Sequence, residues 1–64
     1  MRSLKELRDR KGMTQETIAR YLGITRQTYA KYEQEPEKLT IDQASVLCDI
    51  LDCDFDSLLS KEDN

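Results

Sequence analysis

The sequence predicts an all-α protein of five short helices packed into one compact domain. Apolar residues recur at three- and four-residue spacing in five segments, and no segment alternates as a half-buried strand would. A side chain able to cap a first helical turn stands before each segment. Sixty-four residues allow a single domain with one modest core. We treat residues 1–64 as that domain, with the core in residues 3–59 and a polar tail in residues 60–64.

The first helix begins after Ser3, because the Ser-x-x-Glu pattern of residues 3–6 is that of a capping box. Leu4 and Leu7 give this helix an apolar stripe. The Lys11-Gly12 pair ends it, since a cation suits the last turn and glycine suits the residue that follows a helix. The element predicted here is therefore short and amphipathic.

A tight glycine turn separates the second and third predicted helices. Thr14 caps the second helix, in which the small side chain of Ala19 suits a close crossing between helices. Gly23 follows the last turn, where the chain adopts a positive φ that costs glycine little. Thr25 then caps a third helix that runs to about Glu33. Two short helices joined in this way form a helix-turn-helix unit.

Helical geometry sorts the third helix into an inner and an outer face. Tyr29 and Tyr32 lie one turn apart, and we place both in or near the core, with hydroxyl groups that reach the rim or a phosphate. The outer face is polar and able to donate and accept hydrogen bonds. In a helix-turn-helix unit the second helix lies in the major groove of DNA. There Gln binds adenine through two hydrogen bonds, and Arg or Lys binds O6 and N7 of guanine. The candidate base-contacting residues are Arg26, Gln27 and Lys31.

Candidate contacts to the DNA backbone surround this outer face. The start of the second helix offers free backbone N–H groups and the positive end of a helix dipole, which together suit a phosphate. Hydroxyl and amide groups near both helix starts, and a cation after the third helix, add further donors. The candidates are Thr14, Gln15, Thr25, Thr28 and Lys38. A helix-start role alone is the alternative for Gln15, and ordinary solvated cations are the alternative for Arg26 and Lys31.

The last two predicted helices follow a polar loop at residues 34–38, which Pro36 keeps from being helical. The Thr-x-x-Gln pattern of residues 40–43 is a second capping box. The fourth helix is too apolar for a surface helix, so we predict that it is central. Its apolar residues are Ile41, Ala44, Val46, Leu47, Cys48, Ile50 and Leu51.

Asp54 can cap a fifth, short helix that carries three large apolar side chains. Two interpretations of these side chains stay open, because they can form a dimer interface or simply close the core. The interface candidates are Phe55, Leu58 and Leu59.

Composition removes several classes of function. Short apolar runs and a charged N-terminus indicate neither a membrane span nor a secretory signal, and Met1 leads us to expect a whole protein. The chain has no histidine, which excludes Cys₂His₂ zinc fingers and histidine-dependent catalysis. We expect no enzyme activity, no metal and no cofactor. Cys48 and Cys53 are expected to be buried free thiols, in keeping with a reducing cytoplasm.

The charge distribution is strongly asymmetric, although the net charge is only −3. Residues 1–31 carry eight basic and three acidic side chains, whereas residues 32–64 carry two basic and ten acidic ones. Solvated helix faces are the alternative explanation. Together with the helix-turn-helix pattern, the asymmetry favours a basic side that faces DNA. Arg8 and Glu33 are either unrelated surface charges or, as we prefer, an ion pair that ties the first helix to the end of the third.

The chain resembles the Cro/C1-type helix-turn-helix family, which includes phage repressors, Cro proteins and small bacterial regulators and antitoxins. The resemblance covers roughly residues 3–59. Its motifs are Leu4-x-x-Leu7-Arg8, Lys11-Gly12-Met13-Thr14-Gln15, Ile18-Ala19, Leu22-Gly23-Ile24-Thr25, Tyr29-x-x-Tyr32-Glu33, Leu39, Leu47 and the ending Asp54-Phe55-Asp56-Ser57-Leu58-Leu59.

The resemblance implies the five-helix fold of phage repressors, homodimers on palindromic operators and an Arg8–Glu33 bridge. It also implies base contacts at Arg26, Gln27 and Lys31, and backbone contacts at Gln15, Thr25 and Thr28. The acidic residues 33–37 depart from the family pattern, because acids beside DNA repel phosphates. Either this loop points away or the affinity is modest.

The function predicted from the sequence is that of a cytoplasmic transcriptional regulator, a repressor that binds double-stranded DNA as a homodimer. The alternative is an antitoxin-type module that neutralises a protein partner. Only five residues follow Leu59, which counts against a long toxin-binding tail.

Overall fold

The computed structural model describes residues 3–59 and shows an all-α architecture, as predicted; the tail assigned to residues 60–64 lies outside this range. Within the described residues there are five α-helices, one short 3₁₀ helix and no strand. The helices are α1 (Leu4–Arg10), α2 (Gln15–Leu22), α3 (Arg26–Gln34), α4 (Ile41–Leu51) and α5 (Phe55–Leu59), with the 3₁₀ helix at Pro36–Lys38.

Side-chain caps at the helix starts explain why the helices begin where the sequence predicted. The hydroxyl oxygens of Ser3, Thr14, Thr25 and Thr40 each accept a hydrogen bond from the backbone N–H three residues later. At Thr40 the capping box is complete, because the side chain of Gln43 also accepts from the Thr40 backbone N–H. Each such cap contributes about 1 kcal/mol, a large share of the stability of so short a helix.

Three helix ends share one backbone geometry. A residue with positive φ follows α1, α2 and α4: Gly12 (φ 71°), Gly23 (φ 72°) and Asp52 (φ 54°). In each case the next backbone N–H donates to the carbonyl five residues earlier, which is the long bond of a Schellman cap. These bonds run from Met13 to Arg8, from Ile24 to Ala19 and from Cys53 to Cys48, at 3.2, 3.0 and 3.1 Å.

Substitution of the residue with positive φ is expected to change the free energy of unfolding in opposite directions at a glycine and at a non-glycine residue. An added Cβ at Gly23 would meet nothing within 4 Å, so Gly23→Ala costs only backbone strain, about 1 kcal/mol of unfolding free energy. Asp52→Gly is expected to add roughly 0.5–1 kcal/mol, because it relieves the same strain. Urea denaturation of both variants measures this. A loss in Asp52→Gly would contradict it and reveal a stabilising contact of the Asp52 side chain.

The core is built from buried side chains of all five α-helices. Tyr29 is its largest side chain and is fully buried, as predicted. Half-buried residues, including Leu22 and Ile24 of the glycine turn, pack around this cluster and fix α3 against α2. The other fully or nearly fully buried apolar residues are Leu4, Ile18, Ala19, Ala44, Leu47, Leu51 and Leu58.

The helix predicted to be central, α4, supplies three of the buried core residues but leaves part of its apolar surface exposed. Ile41 is 80% exposed and Val46 is 39% exposed. Ala44, Leu47 and Leu51 alone are buried, and they form one stripe at i, i+3 and i+7. Ile41 occupies the first turn, which extends past the core, and Val46 lies about 200° around the helix from Ala44. Composition shows that a helix is apolar, but only the packing shows how much of it is covered.

The predicted polar loop at residues 34–38 is more ordered than expected. Gln34 completes α3, and Pro36–Lys38 forms a turn of 3₁₀ helix. Pro36 occupies the first position of this helix, which its fixed φ and missing N–H suit. Its apolar ring is buried. Pro36 ends α3, as predicted, and also anchors the connection to α4.

Candidate nucleic-acid interface

Helices α2 and α3 form a helix-turn-helix unit with one polar side left uncovered. Tyr29 holds the inner side of α3 in the core. The side chains of Arg26, Gln27 and Lys31 are all exposed. Gln27 and Lys31 are i, i+4 neighbours, and Arg26 stands beside them at the helix start, so the structure brings all three to one surface. We call these three residues the reading strip.

The size of α3 suits a DNA groove. An α-helix with its side chains is about 10–12 Å in diameter, which matches the roughly 12 Å width of the major groove. Ala30, within the same helix, carries a side chain too small to hold the backbone away from a ligand. A short helix fixed by its inner side and polar on its outer side can therefore approach base edges.

The threonine hydroxyls divide between capping and free donation. Thr14 and Thr25 use their hydroxyl oxygens to cap α2 and α3. The Thr25 hydroxyl also donates to Thr28 Oγ1 at 2.9 Å. Thr28 thus acts as acceptor in that bond and keeps its own proton for another partner. Of the predicted hydroxyl contacts near α3, Thr28 is the one whose donor the structure leaves available for a phosphate.

Gln15 has a role that the sequence did not reveal. Its half-buried side chain donates from Nε2 to Glu33 Oε1 at 2.8 Å. Its Oε1 accepts from Arg26 Nη1 at 3.4 Å. The amide therefore connects the end of α3 to the first residue of the reading strip. No local pattern signals this link, since the residues lie on different helices.

Arg8 and Glu33 form a buried ion pair at the back of this network. Their side chains are 9% and 6% exposed, and Arg8 Nε donates to Glu33 Oε2. Arg8 Nη1 also donates to the Met13 carbonyl at 2.7 Å. Burial lowers the pKa of Arg8, but the Glu33 carboxylate outweighs burial and leaves that pKa above its ordinary value. Glu33 thus accepts hydrogen bonds from the last turn of α1 and the first residue of α2 at once.

The Tyr29 hydroxyl lies beside this ion pair rather than at the rim. It is buried, and within residues 3–59 it has no hydrogen-bond partner. Burial raises the pKa of Tyr29 far above its ordinary value, and the charge of Glu33 raises it further. The expectation that this hydroxyl reaches the rim or a phosphate is therefore wrong, whereas Tyr32 is half-buried.

Replacement of Tyr29 by phenylalanine is expected to leave stability unchanged or to raise it by up to about 1 kcal/mol. The reason is that an unpaired buried hydroxyl costs desolvation and returns no hydrogen bond. Thermal and urea unfolding of Tyr29→Phe provide the measurement. Tyr32→Phe serves as the control for a half-buried hydroxyl. A loss above about 1 kcal/mol in Tyr29→Phe would show that the hydroxyl has a partner in solution.

A further cation lies next to the reading strip. Arg20 of α2 is exposed and lines, with Arg26, a surface cavity of about 360 Å³ between α2 and α3. Glu16, Ala19 and Ile24 complete its lining. The sequence counted Arg20 only as part of the basic half. Its basic side chain within the helix-turn-helix unit was the available signal.

The acidic segment after α3 is less repulsive than its sequence indicates. Glu33 is buried and paired with Arg8, so it adds no free negative charge to the surface. Glu35, Glu37 and the predicted phosphate contact Lys38 are exposed. Whether Lys38 contacts DNA stays a prediction.

The three dimer candidates have different positions. Leu58 is fully buried in the core, so it closes the core, the second of the two interpretations that the sequence left open. Phe55 is 46% exposed and is available to a partner. The side chain of Leu59 lies outside the described part of the structure.

Neither a metal-binding cluster nor a membrane-spanning helix occurs in residues 3–59. Residues 3–59 contain no group of three or more acidic, cysteine or histidine side chains arranged to hold a metal ion. No helix in that range is both long and apolar enough to span a membrane.

Comparison with known proteins places this geometry in a family. A family model described as helix-turn-helix matches residues 4–58. The chain is 42% identical over 65 residues to the uncharacterized HTH-type transcriptional regulator YqaE of Bacillus subtilis (strain 168), covering 97% of this chain and 53% of that protein. It is 36% identical over 59 residues to the HTH-type transcriptional regulator AnsR of the same organism, covering 92% and 51%.

The chain spans about half the length of these curated relatives. No solved structure gives a significant match. The helix-turn-helix match covers nearly the whole described structure, including the reading strip and the Arg8–Glu33 pair. The chain therefore belongs to the Cro/C1-type helix-turn-helix family of DNA-binding transcriptional regulators.

Proposed function

We propose that this domain binds a specific double-stranded DNA sequence by placing α3 in the major groove, and that it represses transcription by occupying its operator. The observation that supports this most is the reading strip. It consists of three exposed polar side chains on a helix whose opposite side is buried in the core through Tyr29. Arg26 and Lys31 suit guanine, and Gln27 suits adenine. Arg26 is held at the helix start by Gln15.

Phosphate contacts would set the register of the domain on the duplex. Thr28 keeps a free hydroxyl proton, Arg20 is an exposed cation beside Arg26, and Lys38 is a second exposed cation. Charged contacts of this kind supply sequence-independent affinity that falls with salt. The basic balance of residues 1–31 supports the same orientation.

We further propose a homodimer on a palindromic operator, in the cytoplasm. A single α3 reads only a few base pairs, so two copies one helical turn apart would multiply specificity. The exposed Phe55 on α5 supports a contact between copies, because nearly half of a large aromatic ring remains uncovered in one protomer.

A protein partner is the second candidate, of the antitoxin type. Besides Phe55, Ile41 and Val46 are exposed apolar side chains on α4. Such surface residues suit a protein contact as well as a second copy.

In vitro selection of randomised duplexes on the purified protein tests the proposal. The wild type is expected to enrich an inverted repeat, and the Arg26→Ala, Gln27→Ala double variant is expected to lose it. Arg10→Ala is the matched control, since it removes an exposed cation from α1 and should leave the enriched sequence unchanged. Enrichment of a single half-site would contradict the homodimer. The absence of any enrichment at low salt would favour the protein-partner function.

A further inference from the structure

The two cysteines of the chain occupy the facing positions of a helix cap. Asp52 takes the left-handed conformation at the end of α4, and the N–H groups of Asp52 and Cys53 both donate to the Cys48 carbonyl. In a Schellman cap the side chains three residues before and two residues after the helix end lie against each other. Here those side chains are Cys48 and Cys53.

The two equivalent caps of the chain also bring the corresponding residues close together. At the end of α1, the Arg8 side chain donates to the carbonyl of Met13. At the end of α2, Ala19 and Ile24 line the same surface cavity. At the end of α4, each thiol is close enough to the other to affect its ionisation. The five-residue separation therefore places Cys48 and Cys53 as neighbours in space.

The two thiols are also reduced and partly accessible to solvent. Both cysteines are free, as predicted, and both are half-buried, whereas the sequence predicted buried thiols. Both pack on the edge of the core, where the cap holds their backbones together.

We propose that Cys48 and Cys53 form a dithiol site that a small-molecule disulfide, such as glutathione disulfide, converts into an intramolecular disulfide. In the first step, one thiolate attacks the small disulfide, forming a mixed disulfide and releasing one glutathione thiolate. In the second step, the neighbouring thiolate attacks the protein sulfur of that mixed disulfide and releases the second glutathione. The protein loses two hydrogen atoms and two electrons, and one glutathione disulfide becomes two glutathione thiols.

Burial and neighbouring carboxylates raise the pKa values of both thiols and so make the reaction slow at neutral pH. Burial raises the pKa of Cys53 to about 11, and Cys48 and the carboxylates of Asp54 and Asp52 add to the effect. Burial also raises the pKa of Cys48, and Asp49 and Asp54 contribute. On the facing side, Arg10 and Lys11 of α1 line a surface cavity of about 320 Å³ together with Asp52. Because the thiolate is the attacking species and both pKa values are raised, the rate is expected to rise about tenfold between pH 7 and pH 8.

Mass spectrometry of the whole chain after incubation with glutathione disulfide tests the proposal. The wild type is expected to yield the closed monomer in at least about tenfold excess over any glutathione adduct, because the second step is intramolecular. Cys48→Ser and Cys53→Ser are matched controls, since each keeps one thiol and should stop at a single glutathione adduct. Accumulated adducts on the wild type, or dimers linked through cysteine, would overturn the proposal.

A second measurement needs no variant and so does not depend on how the serine variants fold. Phenylarsine oxide bridges two neighbouring thiols, and one equivalent is expected to protect both cysteines of the wild type from alkylation. Alkylation of two thiols per chain in the presence of the arsenical would show that the thiols are too far apart, and would also overturn the proposal.

Discussion

Replacement of Glu33 by alanine is expected to lower the free energy of unfolding by about 3–5 kcal/mol, as is replacement of Arg8. Each change leaves the partner charge buried, since the side chains are 9% and 6% exposed. The loss at Glu33 also removes the acceptor of the Gln15 amide. A domain of this size has only a few kcal/mol of stability in total, so urea denaturation should detect either variant as barely folded.

The double variant Arg8→Ala, Glu33→Ala separates an ion pair from two independent effects. We expect it to be little less stable than either single variant, because the cost comes from an unpaired buried charge. Glu33→Gln gives a milder version that keeps the side-chain size. Lys5→Ala is the matched control: it breaks the exposed Lys5–Asp9 pair, with side chains 67% and 52% exposed, at the member that does not contact Arg8, and should change stability by less than about 0.5 kcal/mol. Additive losses at Arg8 and Glu33 would contradict a shared interaction.

The features that the sequence predicted well are local. Thr14, Thr25 and Thr40 cap helices because a hydroxyl needs only the N–H three residues away, and Gly23 marks a turn because few other residues tolerate its φ. Tyr29 was correctly placed inward by helical spacing alone. Such features depend only on residues a few positions away, so they can be predicted from a single sequence.

The features that the sequence missed depend on contacts between elements. The Gln15 amide joins residues eleven and eighteen positions away, and no spacing rule connects them. The burial of Leu58 and the exposure of Ile41 depend on where neighbouring helices stop, which composition cannot show. The residue with positive φ at the end of α4 is Asp52 rather than glycine. The cap that joins Cys48 and Cys53 therefore could not be predicted from a glycine in the sequence.

The reading strip leads to the second prediction with a large effect. Arg26→Ala is expected to cost about 1–3 kcal/mol per half-site at one base pair of the operator, and a dimer would double this. The reason is that a bidentate arginine contact exists only with the correct base. Titration of the selected operator and of a duplex changed at that base pair measures the difference. Gln15→Ala should reproduce part of the loss, since Gln15 holds the Arg26 side chain at the start of α3.

A phosphate contact must behave differently, and Lys38→Ala is the control that shows it. Loss of Lys38 should weaken binding to both duplexes equally and reduce the slope of log affinity against log salt by about 1 per protomer. Arg26→Ala should instead reduce the preference for the operator at every salt concentration. If Arg26→Ala weakened both duplexes equally, Arg26 would be a phosphate contact, and base reading by α3 would rest on Gln27 and Lys31 alone.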